Sequence, residues 1–221
     1  MSKKVSKTIT VLIADDEPVA RAGIRSLLTP AEDIQIIGEA QDGFEVKELI
    51  PKLRPQILLL DLKMPGPRPS EIEKWLRENY PEVITLILTS HDHDAYLATM
   101  MNGGAAGYLS KEESAEQLIG AIRRAAEGNV YFTNEQVARA LKWKETVREK
   151  WDRLTNRERE ILQRLVIGED NKAIAKSLNI SLRTVEFHMT NILRKLDMNS
   201  RDEVIVWIIE HRPDASNNIK D

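Results

Sequence analysis

Five short runs of aliphatic and β-branched residues alternate with five longer amphipathic stretches in the first half of the chain. The runs have the length of single strands, and proline or glycine follows the stretches, as is common at helix ends. Because parallel strands need a crossover between them, this alternation predicts an α/β fold with a doubly wound, five-stranded parallel sheet covered by helices on both faces. The predicted strands are Ile9–Ala14, Ile34–Ala40, Ile57–Leu60, Ile84–Leu88 and Ala106–Leu109, and the predicted helices are Val19–Leu28, Phe44–Leu53, Ser70–Asn79, Ala95–Asn102 and Ser114–Glu127.

The strand signal ends near Val130, and the rest of the chain has only helical patterns. A stretch crowded with charges comes first and is typical of a helical linker. The closely spaced patterns behind it predict a small all-helical domain with helices at Asn156–Val166, Asn171–Leu178, Arg183–Leu196 and Arg201–Glu210. We therefore predict an α/β domain over 1–130, a linker over 131–153 and a helical domain over 154–221.

Composition excludes several kinds of chemistry. The 221 residues include no cysteine, which excludes disulfides, thiolate metal ligands and a cysteine nucleophile. No apolar run reaches the about 18 residues that a membrane span needs, and the first residues lack a cleavable signal pattern, so we expect a cytoplasmic protein without a membrane partner. Acidic residues outnumber basic ones up to Val130, and the reverse holds after it, which suggests different partners for the two halves.

Polar side chains follow four of the predicted strands. Asp15 and Asp16 follow the first strand, and Asp61 follows the third. Thr89 and Lys111 come after the fourth and fifth strands, and the carboxyl ends of parallel strands meet at one edge of the sheet. Three converging carboxylates repel one another unless a cation neutralises them, and such a donor set suits Mg²⁺. A nucleophile, a metal, a cation and a hydroxyl donor are what phosphoryl chemistry needs, either in a regulator or in a Mg²⁺-dependent phosphohydrolase that forms an aspartyl phosphate.

The motifs ADDEP, DLKMPG, the threonine after ITLIL and GYLSK resemble, in order and spacing, the receiver domain of two-component response regulators, which has a flavodoxin-like fold. The resemblance implies that Asp61 accepts a phosphoryl group from a partner histidine kinase. A pseudo-receiver that acts by protein contacts alone is the alternative, which the complete set of polar residues disfavours. The resemblance further implies that Asp16, Asp61 and the Lys63 carbonyl are Mg²⁺ ligands and that Asp15 holds the water shell of the metal. It also implies that Thr89, Lys111 and Tyr108 form the switch that responds to phosphorylation.

The third helix of the predicted helical domain has two different sides. Four apolar residues recur at helical spacing and should pack inward, while the opposite side is polar and basic around one phenylalanine. Such a surface suits the major groove of double-stranded DNA. The inward residues are Val185, Met189, Ile192 and Leu196, and the outward residues are Arg183, Glu186, Phe187, Thr190, Asn191 and Arg194.

The block from LTNREREIL to TVEFHMTNILRKL resembles the LuxR-type helix-turn-helix of the NarL/FixJ class of response regulators. The resemblance implies that Arg183–Leu196 is the recognition helix, with Glu186, Phe187 and Thr190 at base-reading positions. It also implies contacts to the DNA backbone from Thr155, Lys172, Ser181, Thr184, Asn191 and Lys195.

The final predicted helix contains the unbroken apolar run VIVWII, which covers every face of a short helix. One face can pack on its own domain, and the others need another cover. We expect this cover to be a second copy of the chain after phosphorylation, with packing on the receiver in an inactive state as the alternative. The expected dimer residues are Val204, Ile205, Ile208 and Ile209. The sequence thus predicts a phosphorylation-dependent transcriptional regulator and not an enzyme.

Overall fold

A computed structural model describes residues 8–90 and 92–211 of the chain, apart from the side chains of residues 209–211. The chain forms two compact units, Met1–Leu141 and Lys142–Asp221. The predicted linker contains one helix, α6 (Asn134–Asp152), so the boundary between the units falls inside the linker and not at either end of it.

Ahead of α6, the described part of the first unit contains five strands and five helices in strict alternation, as predicted. All four strand pairs are parallel, and the strand order is the second, first, third, fourth and fifth in chain sequence. The doubly wound five-stranded sheet is therefore confirmed. The elements are β1 (Ile9–Ala14), α1 (Pro18–Leu28), β2 (Ile34–Ala40), α2 (Gly43–Leu53), β3 (Ile57–Leu60), α3 (Pro69–Asn79), β4 (Ile84–Thr89), α4 (Asp94–Gly103), β5 (Gly107–Ser110) and α5 (Ala115–Ala126).

The central strands are buried on both sides because helices cover both faces of the sheet. All four residues of β3 are buried. On one face, α1 and α5 insert residues such as Ile24 and Ile122 against Val11 and Leu59. Strands buried on both faces have polar residues mainly where they leave the sheet, and Asp15, Asp16 and Asp61 occur at such positions.

As far as residue 211, the second unit consists of the end of α6 and four further helices, α7 (Asn156–Val166), α8 (Asn171–Ser177), α9 (Leu182–Leu196) and α10 (Arg201–His211). Thr155, Asp170 and Ser181 cap the starts of α7, α8 and α9 by accepting backbone N–H groups. Gly168 follows α7 with a φ of 86°, a conformation that glycine adopts without strain. Within the described part of the chain, no helix combines the length and the apolar character that crossing a membrane requires.

Candidate functional site

The register of the two central strands brings the acidic residues together. Ala14 pairs with Leu60, so the residues that follow them leave the sheet side by side, and the Asp61 N–H donates to the Ala14 carbonyl at 2.9 Å. One carboxylate oxygen from each of Asp15, Asp16 and Asp61 lies within 4.8 Å of the others. The predicted convergence is confirmed, with Asp16 exposed and the other two carboxylates buried.

Lys111 neutralises the two buried carboxylates. Its Nζ lies 2.7 Å from Asp15 Oδ2 and 3.1 Å from Asp61 Oδ2. The Lys111 N–H donates to the carbonyl of Thr89 at 3.0 Å, which fixes the start of the β5–α5 loop beside the end of β4. Burial lowers the pKa of Lys111, but its contacts with Asp15 and Asp61 outweigh burial and raise the pKa above its ordinary value. The lysine is therefore cationic at neutral pH.

The Asp61 carboxyl group has its own balance of effects. Burial raises its pKa, the Lys111 charge lowers it, and the nearby Asp15 charge raises it again, so that the net pKa lies above the ordinary value. Asp61 Oδ1 accepts the N–H of Leu62 at 2.8 Å. Asp61 Oδ2 is the oxygen beside the lysine. The carboxyl group is thus oriented by contacts at both of its oxygens.

Two residues that the sequence analysis missed hold Asp15 in place. Arg21 of α1 donates from Nη1 to the Asp15 carbonyl at 2.6 Å, and its Nε lies 3.2 Å from Glu39 Oε2 on β2. The Glu17 N–H donates to Asp15 Oδ1 at 2.9 Å. The position of Arg21 one turn into the helix that follows ADDEP is the sequence signal that could have identified it.

The remaining predicted residues of this unit lie around the same edge. Thr89, the last residue of β4, and Tyr108 of β5 are both buried, with 2% and 4% of their surfaces exposed. Burial raises the pKa of Tyr108, and the Asp92 charge raises it further, so the phenol stays protonated. Lys63 lies in the exposed loop after β3, two residues beyond Asp61.

In the second unit, α9 has the two sides that its sequence predicts. Val185, Ile192 and Leu196 are fully buried in the core of the unit. On the other side Phe187 is 64% exposed, a large exposure for an aromatic side chain. The neighbouring positions of this side that the structure also leaves exposed are Arg183, Glu186, Thr190 and Arg194.

The predicted hydroxyl residues lie at the starts of helices. Thr155 Oγ1 accepts the Glu158 N–H at 3.3 Å at the start of α7. Ser181 Oγ accepts the Thr184 N–H at 3.0 Å at the start of α9, and the hydroxyl groups of these two residues lie 2.7 Å apart. Helix starts present N–H groups and a partial positive charge, which attract phosphate.

Lys195, predicted to contact DNA, forms an ion pair inside its own unit. Its Nζ lies 2.7 Å from Oε2 of Glu158, a residue with 2% of its surface exposed. Burial raises the pKa of Glu158, but hydrogen bonds from Lys195 and Thr155 outweigh it and leave the pKa below the ordinary value. Lys195 therefore stabilises the contact between α7 and α9. Lys172 on α8 is exposed, and Asn191 is partly buried and accepts from Arg194 at 3.3 Å.

The prediction for the final helix is wrong at two positions. Val204 and Ile208 have 0% and 3% of their surfaces exposed and belong to the core of the second unit, so they cannot form a dimer surface. Ile205 is partly buried against the same core, whereas Val206 is 52% exposed. The side chain of Ile209 lies outside the described residues. Packing on α7 and α9 decides which face of the apolar run turns inward, and the run itself carries no such information.

Two family models match separate parts of the chain. Residues 11–123 match the response regulator receiver domain. Residues 152–208 match the bacterial regulatory proteins of the luxR family. The two matches lie in the first and second units respectively.

Similar proteins combine both parts in one chain. The chain is 35% identical over 207 residues to the nitrate/nitrite response regulator protein NarL of Escherichia coli strain K12, which covers 92% of this chain and 96% of that protein. A structure of RcsB from Salmonella enterica serovar Typhimurium, bound to promoter P1flhDC in the presence of the phosphomimetic BeF₃⁻, has a TM-score of 0.66 and 28% identity, covering 92% of this chain and 98% of that one. A structure of two RcsB dimers bound to two parallel DNAs has a TM-score of 0.64 and 27% identity, with the same coverage.

Proposed function

This chain belongs to the two-component response regulators of the NarL/FixJ class, and from that membership we propose that it regulates transcription by accepting a phosphoryl group on Asp61 from a partner histidine kinase. The observation that carries the proposal is the set of Asp15, Asp16, Asp61 and Lys111 at one sheet edge, in a chain whose second unit has an exposed polar and basic helix face. The carboxylate and lysine set does not by itself imply DNA binding, and the helix face does not by itself imply phosphorylation. Together they provide a site for modification and a surface for DNA.

In the proposed reaction, a carboxylate oxygen of Asp61 forms a bond to phosphorus while the bond between phosphorus and the kinase histidine nitrogen breaks. The electron pair of the broken bond stays on that nitrogen. Lys111, 3.1 Å from Asp61, neutralises negative charge that reaches the site with the phosphoryl group. Glu17 and Arg21 keep Asp15 in place while this charge arrives.

The residues at this edge fit Mg²⁺. Three carboxylate oxygens within 4.8 Å of one another are the hard donors that this ion prefers, and the exposure of Asp16 leaves the group open to solvent. We propose that Asp15, Asp16, Asp61 and the Lys63 carbonyl hold it. When bound, Mg²⁺ supplies positive charge to phosphoryl oxygens.

We propose further that Thr89 donates a hydrogen bond to the phosphoryl group and that the orientation of Tyr108 follows that of Thr89. This change favours a homodimer of phosphorylated chains. Among the side chains of α10 that the structure describes, Val206 and the partly buried Ile205 are the apolar ones available for such a contact. The RcsB dimers on DNA support a dimer as the DNA-bound form.

For the second unit, we propose that Glu186, Phe187 and Thr190 of α9 read bases in the major groove. Helix starts and basic side chains around them would hold the DNA backbone. Access to chromosomal DNA implies a cytoplasmic location, which we also propose. The proposed backbone contacts come from Thr155, Lys172, Ser181, Arg183, Thr184, Asn191 and Arg194, with Lys195 contributing charge from within its ion pair.

Incubation with Mg²⁺ and a small acyl phosphate tests the proposed modification. The wild-type chain should give one shifted band on a phosphate-affinity gel, and Asp61→Asn should give none. An equal shift of Asp61→Asn would contradict the assignment. Steady turnover of small phosphate esters by the wild type would favour the phosphohydrolase alternative. Genome-wide mapping of bound DNA should instead show promoters that the wild type binds and that Asp61→Asn does not bind.

A further inference from the structure

The chain beyond α5 packs back on the edge of the sheet. Tyr131 forms a parallel bridge with Gly107 of β5, and its N–H donates to the Ala106 carbonyl at 2.6 Å. Gln136, in the first turn of α6, donates from Nε2 to the Tyr108 carbonyl at 2.9 Å. The receiver match ends at residue 123, so these contacts come from residues beyond it. The start of the linker is therefore part of the first unit.

Arg139 of α6 joins this segment to the loop between β4 and α4. Nη1 and Nη2 each lie 2.8 Å from an oxygen of Asp92, and Nε lies 2.7 Å from Asp94 Oδ1. The three nitrogen atoms of the guanidinium group therefore all contact the carboxylates of Asp92 and Asp94. Bidentate pairs of this kind fix geometry as well as supplying attraction. Asp92 follows Thr89, the last residue of β4, by only three positions.

Tyr108 contacts both α6 and the loop before α4. Its side chain is 4% exposed, and its hydroxyl group is hydrogen-bonded to the backbone of His93, which lies between the two aspartates that Arg139 holds. Its carbonyl is held by Gln136. The linker thus fixes both the loop after Thr89 and the aromatic residue beside that loop.

We propose that Arg139 is a positioning residue for the Asp61 site, which holds the loop after Thr89 and the buried Tyr108 in the arrangement that receives a phosphoryl group. The inference rests on the proposed phosphorylation of Asp61. A loop already held by ion pairs loses little conformational entropy when the group binds, whereas a free loop has to be ordered at that moment. Binding at Asp61 and ordering of the first turns of α6 then favour each other, because coupling between two sites is reciprocal.

The test compares the full-length wild type, Arg139→Gln and Arg148→Gln, with beryllofluoride and Mg²⁺ as the probe of the Asp61 site. Arg148 lies on the same helix with 85% of its side chain exposed and serves as the matched control. The affinity of Arg139→Gln for the probe should be lower by a factor of roughly five or more, and a factor of five is at the lower end of the effects that coupled sites have on each other's affinity. Arg139→Lys can reach one aspartate at a time and should recover part of the affinity. Arg148→Gln should bind like the wild type.

Hydrogen exchange provides a second readout. The probe should slow exchange of the amides of residues 134–141 in the wild type, and Arg139→Gln should lose most of this effect. Equal probe affinity of wild type and Arg139→Gln, or the same slowing in both, would overturn the role of Arg139 while leaving phosphorylation intact. If the wild type and Asp61→Asn take up the probe equally, the proposed function fails first and the coupling fails with it.

Discussion

The two proposed sites differ in how the protein holds their charged residues. In the first unit, Lys111 lies 2.7 Å from Asp15 and 3.1 Å from Asp61, and both carboxylates are buried. On α9 of the second unit, Arg183 and Glu186 lie on an exposed face. A change of charge at the sheet edge should therefore affect folding and chemistry together. A change on the exposed face should affect recognition alone.

The largest expected effect comes from Lys111→Met. Removal of the lysine leaves two buried carboxylates facing each other, and breaking a buried pair in this way costs about 3–5 kcal/mol. Hydrogen exchange of the strand amides should measure the loss in the first unit. Added Mg²⁺ should restore part of it, because the cation neutralises the same carboxylates.

Lys52 provides the matched control for that prediction. Its side chain is 59% exposed and pairs with Glu48 on the surface of α2. Lys52→Met should cost less than about 1 kcal/mol, as exposed pairs do. Equal losses for the two variants would mean that burial does not distinguish the two lysines, and the contrast between the sheet edge and an exposed surface would fail.

Lys195→Ala tests a charged residue of α9 that, unlike Arg183 and Glu186, pairs with a buried carboxylate. The residue lies on α9, yet its amine neutralises the buried Glu158. We expect a loss of about 2–3 kcal/mol in the second unit, since a buried charge keeps no partner of opposite sign. Lys172→Ala, on an exposed position of α8, should leave stability unchanged and reduce DNA affinity. Thermal unfolding and salt-dependent DNA binding of both variants measure the two effects.

A second substitution separates charge from packing in that pair. Glu158→Gln removes the buried charge while keeping the shape of the side chain, so Lys195→Ala combined with Glu158→Gln should be more stable than Lys195→Ala alone. If the double variant is less stable than the single one, the ion pair is not what Lys195 contributes. Lys195 would then belong with the exposed residues that are proposed to contact DNA, as its sequence position suggests.

The sequence predicted most of the first unit because topology restricts where polar residues can occur. The bounds of β1, β2 and β3 agree with the prediction. The rule that parallel strands covered on both faces are apolar is clearest in β3, where all four residues are buried. The same rule placed Asp15, Asp61 and Lys111 at one edge. It could not predict the pairs of Arg139 with Asp92 and Asp94, because Arg139 lies on α6 and the order of the strands does not determine where that helix packs.

The second unit was predicted less completely. Helical periodicity identified the inward side of α9, but in α10 every position from Val204 to Ile209 is apolar. A periodic signal needs polar residues on one side, and this run has none, so the buried face followed from tertiary packing alone. The ion pair of Lys195 could not be predicted for a related reason, since Glu158 lies 37 positions earlier in the chain.

Glu186→Ala tests whether a charged residue on the exposed face of α9 affects DNA recognition alone. Its carboxylate can accept a hydrogen bond from a cytosine amine, so its loss should reduce preference at one base position by about 1–3 kcal/mol. Random DNA should bind equally well or slightly better, because a negative charge leaves the groove. Lys172→Ala should instead weaken specific and random binding alike and reduce the salt dependence by about one charge. Proportional losses in both variants would contradict base reading by α9.

The smallest expected effect concerns a buried acid away from the Asp61 site. Glu73 of α3 has 4% of its surface exposed, and its Oε1 has no hydrogen-bond partner among the residues that the structure describes. Burial raises its pKa, and a hydrogen bond from Thr85 and the Arg77 charge oppose this only in part. The folded state therefore favours the protonated acid. Its contribution to stability is fully present below the unfolded pKa and is lost as pH rises through the folded pKa.

Glu73→Gln removes this pH dependence because the amide does not titrate. The unfolding free energy of the wild type, minus that of Glu73→Gln, gives the contribution of the titrating acid. This difference should fall by on the order of 1 kcal/mol as pH rises from about 4 to 7. Glu71→Gln on the same helix is the control, since a hydrogen bond from Arg68 lowers the pKa of Glu71 and its carboxylate stabilises the fold above its unfolded pKa. For Glu71 the same difference should rise weakly with pH, because its side chain is 49% exposed. Exchange of the α3 amides across this pH range measures both, and slopes of the same sign would show that burial of Glu73 does not control its ionisation.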